Sequence, residues 1–254
     1  MNDGIIEALW GAPPSRLKIS GSEVHIWRAA LDRSPDCEER LLATLTEDEQ
    51  NRASRFYHKH DRSHYISARG ILRDLLGRYL DARPGALRFE YTKYGKPSLI
   101  KEFGGETLRF NLSHSKGVAL FAFTTGRELG IDVEWIRADV ADEQIAERFF
   151  SAQEVRTLRG LEASAQAEGF FNCWTRKEAY IKARGEGLSM PLDRFAVSLE
   201  PGDAAALLYT DGGIEETSRW RLLELFPGPG FAGAVAVEGH DWQLNCWRWE
   251  EPAP

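Results

Sequence analysis

The 254 residues carry 32 Lys and Arg against 39 Asp and Glu, a formal net charge of -7, with 43% hydrophobic and 11% aromatic residues. This excludes a disordered chain and gives no reason to expect a nucleic-acid partner, although a locally basic site fits on such a surface. Cys37, Cys173 and Cys246 are scattered and never form C-x-x-C, which speaks against a disulfide framework or zinc site and for buried thiols in a reducing compartment.

Residues 1–10 lack a basic stretch followed by an apolar run, as a signal peptide would need, and the longest apolar run, Val118 to Phe123, is too short to span a bilayer. The expectation is a cytoplasmic protein with no membrane partner. Alternation over Glu23 to Ala29 predicts a first strand. Pro35 to Gln50 reads as helical, and Thr46 with Glu49 resembles a capping box opening a further helix. Arg52, Arg55, Lys59 and Arg62 follow, the first candidates for a phosphate-binding surface.

Asp61 to Leu80 continues as a long helix with an apolar stripe through Tyr65, Ile66, Ile71, Leu72, Leu75 and Leu76. His58, His60 and His64 lie close in sequence, and solvated helix histidines are preferred here to a metal cluster, which needs further ligands. Leu87 to Tyr91 reads as a short strand. Lys93-Tyr94-Gly95-Lys96-Pro97 then makes a loop where backbone can approach a ligand and ammonium groups can meet phosphate.

Leu108 to Ser115 alternates as a strand ending in Ser113-His114-Ser115, and Val118 to Thr124 returns as its hairpin partner. Ser113 and His114 point to opposite faces of a strand, so binding suits them better than a nucleophile and base pairing. Gly130-Ile131-Asp132-Val133-Glu134 is a strand with both carboxylates on one face, spaced for a hard cation such as Mg²⁺ or for a solvated acidic edge. From Asp142 a helix reaches Phe150, and Ser151 to Glu154 caps another.

Trp174 to Arg184 reads as a helix capped by Gly185. Trp174, Glu178 and Lys182, four residues apart, share one face, whereas Cys173 turns about 100° away into the core. In isolation Glu178 and Lys182 are also an ordinary surface ion pair. Beyond the helix, Leu188 to Pro191 leave it, and Phe195–Leu199, Trp220–Leu225, Gly233–Val237 and Trp242–Trp249 read as strands, with a fraying tail over residues 250–254.

Tyr65 to Gly70 and Tyr180 to Gly185 match at five of six positions, and Arg55-Phe56-Tyr57 echoes Arg148-Phe149-Phe150. A repeat on this scale implies two similar lobes, residues 1–127 and 128–254. In that register Ser63 and Ser67 stand where the second copy has Glu178 and Lys182, which favours chemistry over packing for the latter pair.

Gly130 to Glu134 as G-x-D-x-E and Trp174 to Lys182 as W-x-x-K-E-A-x-x-K resemble the signatures of the phosphopantetheinyl transferases, of the two-lobed type that activates surfactin synthetase. Phe110 to Ser115, Tyr94 to Pro97 and Arg55 to His58 resemble further family segments in the same order. The resemblance implies an α+β fold of two α/β lobes about a pseudo-twofold axis, each a small, mostly antiparallel sheet packed with helices. Coenzyme A would lie between them, in the first lobe's keeping, with the metal site and catalytic helix in the second.

It also implies a monomer that transfers the phosphopantetheine of coenzyme A to a serine of an apo acyl, peptidyl or aryl carrier protein, releasing adenosine 3′,5′-bisphosphate. Asp132, Glu134 and Glu178 would hold Mg²⁺. Arg52, Lys93, Lys96, Asn111, Ser113, His114, Asp132 and Lys182 would bind coenzyme A, with Glu178 and Lys182 catalytic. Many members of this type carry a second basic residue one turn before Arg52, where Glu49 stands here. Weaker coenzyme A binding, or compensation by Arg55 or Arg62, would follow. The alternatives are a Mg²⁺-dependent phosphohydrolase and a non-catalytic coenzyme A or carrier-binding protein.

Overall fold

The computed structural model describes residues 10–104, 107–139, 141, 143–185, 187 and 190–251. The helix start expected at Asp142, the exit through Leu188 and Ser189 and the tail 252–254 lie outside them, as does most of the leading segment. The first lobe begins with β1 (Glu23–Ala30), followed by α1 (Pro35–Ala43), α2 (Glu47–Ser54) and α3 (Lys59–Leu80). The short pair β2 (Phe89–Tyr91) and β3 (Pro97–Leu99) precedes the hairpin β4 (Leu108–Ser115) and β5 (Val118–Thr125).

The second lobe repeats this order. β6 (Leu129–Trp135) leads to α4 (Glu143–Phe149), α5 (Ala152–Gly160) and α6 (Ala163–Arg184), then to the pair β7 (Phe195–Val197) and β8 (Leu207–Thr210). α7 (Gly213–Arg219), β9 (Trp220–Leu225) and β10 (Phe231–Glu238) follow. The sheets run β1-β5-β4 and β6-β10-β9, so each strand of one has its counterpart in the other, as a pseudo-twofold relation requires. β8 and α7 were not expected from the sequence. Leu208, Tyr209 and Ile214 in them are exposed, so these elements lack the apolar alternation that would have marked them.

The division at 127/128 is crossed by the chain's end. β11 (Gln243–Arg248) pairs parallel with β1, returning the last strand to the first lobe's sheet. The mixed fold is otherwise antiparallel in its main sheets.

Period-two alternation sets the layers. Val24, Ile26, Leu120 and Ala122 of one sheet meet Leu129, Ile131, Val133 and Val235 of the other in a shared core. On the opposite faces Trp27, Phe121 and Phe123 pack with Ile71 and Leu75 of α3, while Ala234 and Ala236 pack with Ala179 and Ala183 of α6. The result is helix, sheet, sheet, helix, with Asp132 and Glu134 on the strand face turned to α6.

α3 and α6 are both 22 residues long, and this corrects the repeat's register. Gly70 lies mid-helix, where a Cβ would stand 2.6 Å from the Leu41 Cβ, whereas Gly185 is a left-handed cap with φ 69°. Placed end to end, the helices match Asp74 with Glu178 and Arg78 with Lys182. The first pair of the two retains an acid and a base at the same spacing, 4.0 Å apart. What the first lobe lacks is the strand carboxylate. Where Lys182 meets Asp132, Arg78 lies over the Trp27 ring, 5.2 Å from its centroid.

Glu49 is likewise a structural residue. It closes the capping box of α2 with Thr46, is 6% exposed, and binds the Arg69 and Arg73 guanidinium groups, the latter at 2.7 Å. A basic residue there would leave two buried cations without their anion.

Candidate active site

The site is built on how closely α6 approaches β6. A Cβ on Gly130 would fall 2.2 Å from the Ala179 carbonyl and 2.3 Å from the Ala183 nitrogen, so only glycine lets helix backbone rest on the strand. Across the sheet Ala234 and Ala236 pair with Asp132 and Gly130, keeping the helix-facing surface small. Gly130→Ala is therefore expected to cost at least about 2 kcal/mol of stability and most of the activity, readable as a lowered urea midpoint and a slowed rate.

That contact brings the open line of α6 over Asp132. Trp174, Glu178 and Lys182 are half-buried among buried neighbours, and Trp174 is anchored on Phe170 at a ring distance of 6.2 Å. Lys182 does not pair with Glu178 as a surface pair would. Its Nζ donates to Asp132 Oδ1 at 2.6 Å, to Ser113 Oγ at 3.0 Å and to the Ile131 carbonyl at 3.3 Å.

The hairpin strand β4 completes the wall from the first lobe. Asn111 Oδ1 accepts the Ile131 N–H at 2.9 Å, Ser113 Oγ donates to Asp132 Oδ1 at 2.7 Å, and Ser115 Oγ donates to Glu134 Oε2 at 2.8 Å. Ser115, one of the hydroxyls at the strand end, was not among the expected site residues. The signal was present, because Ser113-x-Ser115 has the same two-residue period as the Asp132-x-Glu134 it faces.

The electrostatics are those of carboxylates that raise one another's pKa. Asp132 is 2% exposed and its Oδ2 is buried without a hydrogen-bond partner. Burial and then the Asp132 charge push Glu134 above the ordinary carboxylate value. Burial, Asp132 and Glu134 do the same to Glu178, opposed by Lys182. One ammonium cannot neutralise three carboxylates, so the site favours a further cation. The orphaned Oδ2 is a hard oxygen donor of the type Mg²⁺ takes, and these residues fit it.

The expected coenzyme A residues divide. Ser113, Asp132 and Lys182 come together as described. His114 is exposed on β4, and desolvation, then the charges of His64 and Lys182, lower its pKa. Asn111 is a buried tie between lobes, its carbonyl already committed. Lys96 is held by Glu128 at 3.4 Å and by the Leu129 and Ala183 carbonyls at 3.2 and 3.4 Å, fastening its loop to β6 and the end of α6. A cleft of ≈ 230 Å³ opens between that loop and α6, lined by Tyr94, Lys96, Asn111, Lys182 and Gly187. Lys93 is exposed with its Nζ 5.4 Å from the Tyr94 ring, and Arg52 is exposed over Tyr65. Neither is joined to the carboxylates by a bond in the structure.

Cys173 is fully buried, and burial holds its thiol well above its ordinary value, as a core residue and not a nucleophile. Among the described residues no helix is long and apolar enough to cross a membrane.

Comparison with known proteins shows the family. Residues 128–236 match the family model of the 4'-phosphopantetheinyl transferase superfamily, and residues 34–125 match that of the 4'-phosphopantetheinyl transferase N-terminal region. The chain is 39% identical over 245 residues to the 4'-phosphopantetheinyl transferase HetI of Nostoc sp., covering 96% of this chain and 100% of that one. It is 32% identical over 176 residues to the 4'-phosphopantetheinyl transferase Sfp of Bacillus subtilis, covering 68% and 76%. The Thermotoga maritima holo-acyl-carrier-protein synthase aligns at 25% identity with a TM-score of 0.35, over 44% of this chain and 62% of that one. The matched segments include the G-x-D-x-E strand and the helix that rests on it, and the chain belongs to the 4'-phosphopantetheinyl transferase superfamily.

Proposed function

We propose that this chain, acting as a cytoplasmic monomer, transfers the phosphopantetheine arm of coenzyme A to a serine hydroxyl of an apo carrier protein and releases adenosine 3′,5′-bisphosphate. The observation that carries the reading is the buried, partnerless Oδ2 of Asp132 beside the Lys182 ammonium, on a carboxylate whose charge acts on both Glu134 and Glu178. Asp132, Glu134 and Glu178 would hold Mg²⁺, which supplies charge neutralisation to the pyrophosphate when bound.

The remaining work falls to the chain's own groups. The serine oxygen forms a bond to the phosphorus that carries pantetheine, and the bridging P–O bond breaks toward the adenosine side. Glu178 takes the serine proton. Its raised pKa brings it nearer the working pH and makes it a stronger base than an ordinary carboxylate. Lys182 offers charge to the departing phosphate, with the Ser113 hydroxyl as the neutral side-chain partner it can exchange. Ser113, Ser115 and the Asn111 tie keep the two lobes in register across the cleft.

Coenzyme A lies in this reading between the Lys93 to Pro97 loop and α6, with Lys93, Arg52 and His114 reaching its phosphates from the first lobe, residues 1–127. The lobe of residues 128–254 supplies the carboxylates. Incubation with coenzyme A, Mg²⁺ and apo acyl, peptidyl and aryl carriers is expected to add one phosphopantetheine to the carrier serine, seen as a mass shift. Consumption of coenzyme A without any carrier gain would indicate hydrolysis and sink the transferase reading.

A further inference from the structure

We propose that Asp32, His60 and His64 form a second metal site in the first lobe, built for a divalent transition ion such as Zn²⁺ or Co²⁺ and not for Mg²⁺. Among the described residues these are the three whose His and carboxylate donor atoms all lie within 4.8 Å of one another. They come from two elements. His60 and His64 are four residues apart on the opening turns of α3, and their ring centroids are 3.9 Å apart. Asp32 stands just after β1, its Oδ1 at 2.8 Å from His64 Nε2.

The donor chemistry selects the ion. Two imidazoles with one carboxylate suit borderline transition metals, whereas Mg²⁺ takes oxygen and keeps its waters. His64 is buried and fixed, while Asp32 and His60 are exposed, so the site has one rigid ligand and an open approach from solvent. Binding would place the metal between His64 Nε2 and Asp32 Oδ1, which now bond each other at 2.8 Å, with the imidazole neutral and its proton on Nδ1. His58 is left out. It is the N-cap of α3 and its ring packs edge-on to Tyr57.

The position ties this site to the cleft without making it part of the carboxylate set. A Cβ on Gly117, in the β4–β5 turn, would stand 3.0 Å from Asp32 Oδ2, and the Leu31 N–H donates to the Gly117 carbonyl at 2.7 Å. An ion here would brace the hairpin that carries Ser113, His114 and Ser115.

The test titrates Co²⁺ into the full chain under excess Mg²⁺, which occupies the carboxylate site, and follows visible d–d absorption. One equivalent is expected to bind in the wild type, in His58→Ala and in Glu178→Gln. Binding should weaken about 100-fold or more in His60→Ala and in Asp32→Asn, both exposed positions whose folding is checked by circular dichroism. Zn²⁺ should raise the unfolding midpoint of the wild type and leave that of His60→Ala in place. Absence of Co²⁺ binding, its survival in both His60→Ala and Asp32→Asn, or its loss in Glu178→Gln would overturn the proposal.

Discussion

Asp132→Asn is expected to lower kcat/KM for carrier modification by about 10³-fold, measured from the mass-shift time course. Asparagine is nearly isosteric and keeps an oxygen for Ser113 and Lys182, which both bond to Oδ1. What it removes is the charge and the partnerless anionic Oδ2. Lys182 would then sit without its close counter-ion, and the cluster would lose its most buried carboxylate. The pH profile carries a second signature. The Asp132 charge helps to raise both Glu134 and Glu178, so removing it should move the acid limb of any residual rate to lower pH. Cys173→Ala, one residue outside the helix's open line, should keep most of the activity. Near-normal rates for Asp132→Asn, or loss in Cys173→Ala, would discredit the site.

The sequence made the local elements of this site readable because each has a strong physical signature. The β6 strand shows period two, α6 shows four-residue spacing closed by Gly185, and both capping boxes formed as spaced. Contacts between elements were less visible. That Lys182 turns to Asp132 and not to Glu178 depends on β6 lying directly under α6, which Gly130 permits. The repeat was legible as two lobes but not in register, since a six-residue likeness cannot outweigh the packing of whole helices. Glu49 looked like a lost phosphate contact because its partners, Arg69 and Arg73, lie twenty or more residues away.

The corrected register changes where the lobes differ. Both helices keep an acid and a base one turn apart, but the strand beneath does not keep its pattern. His25 and Trp27 stand in the first lobe where pairing and helix contacts place Gly130 and Asp132 in the second, and their partners Phe123 and Phe121 take the places of Ala236 and Ala234. Aromatic rings on the helix-facing side fill the space that the second lobe leaves for a carboxylate cluster. His25 and Trp27 both bond the Tyr79 hydroxyl there, at 2.8 and 2.9 Å, making that surface a packed core.

Glu178→Gln is expected to lose activity and gain stability together. As the serine's base its loss should cost about 10²–10⁴-fold in kcat. Its stability effect has the opposite sign. A carboxyl whose folded pKa is raised favours folding while neutral, an advantage complete below the unfolded value and lost as pH rises through the folded one. Above its folded value the wild type bears an ionised group that burial, Asp132 and Glu134 disfavour, and glutamine does not. Without divalent cation the unfolding midpoint of Glu178→Gln should lie about 2–4 °C above the wild type at pH 7. The two should converge toward pH 4, and added Mg²⁺ should narrow the gap at pH 7 by stabilising the wild type. Glu154 provides the contrast, because it is buried against the Lys177 ammonium at 2.8 Å and accepts the Val197 N–H at 2.8 Å. Glu154→Gln would strand a buried cation and lower stability at neutral pH. A Glu178 that behaved like Glu154 would be holding the fold together, and its place in the chemistry would have to be given up.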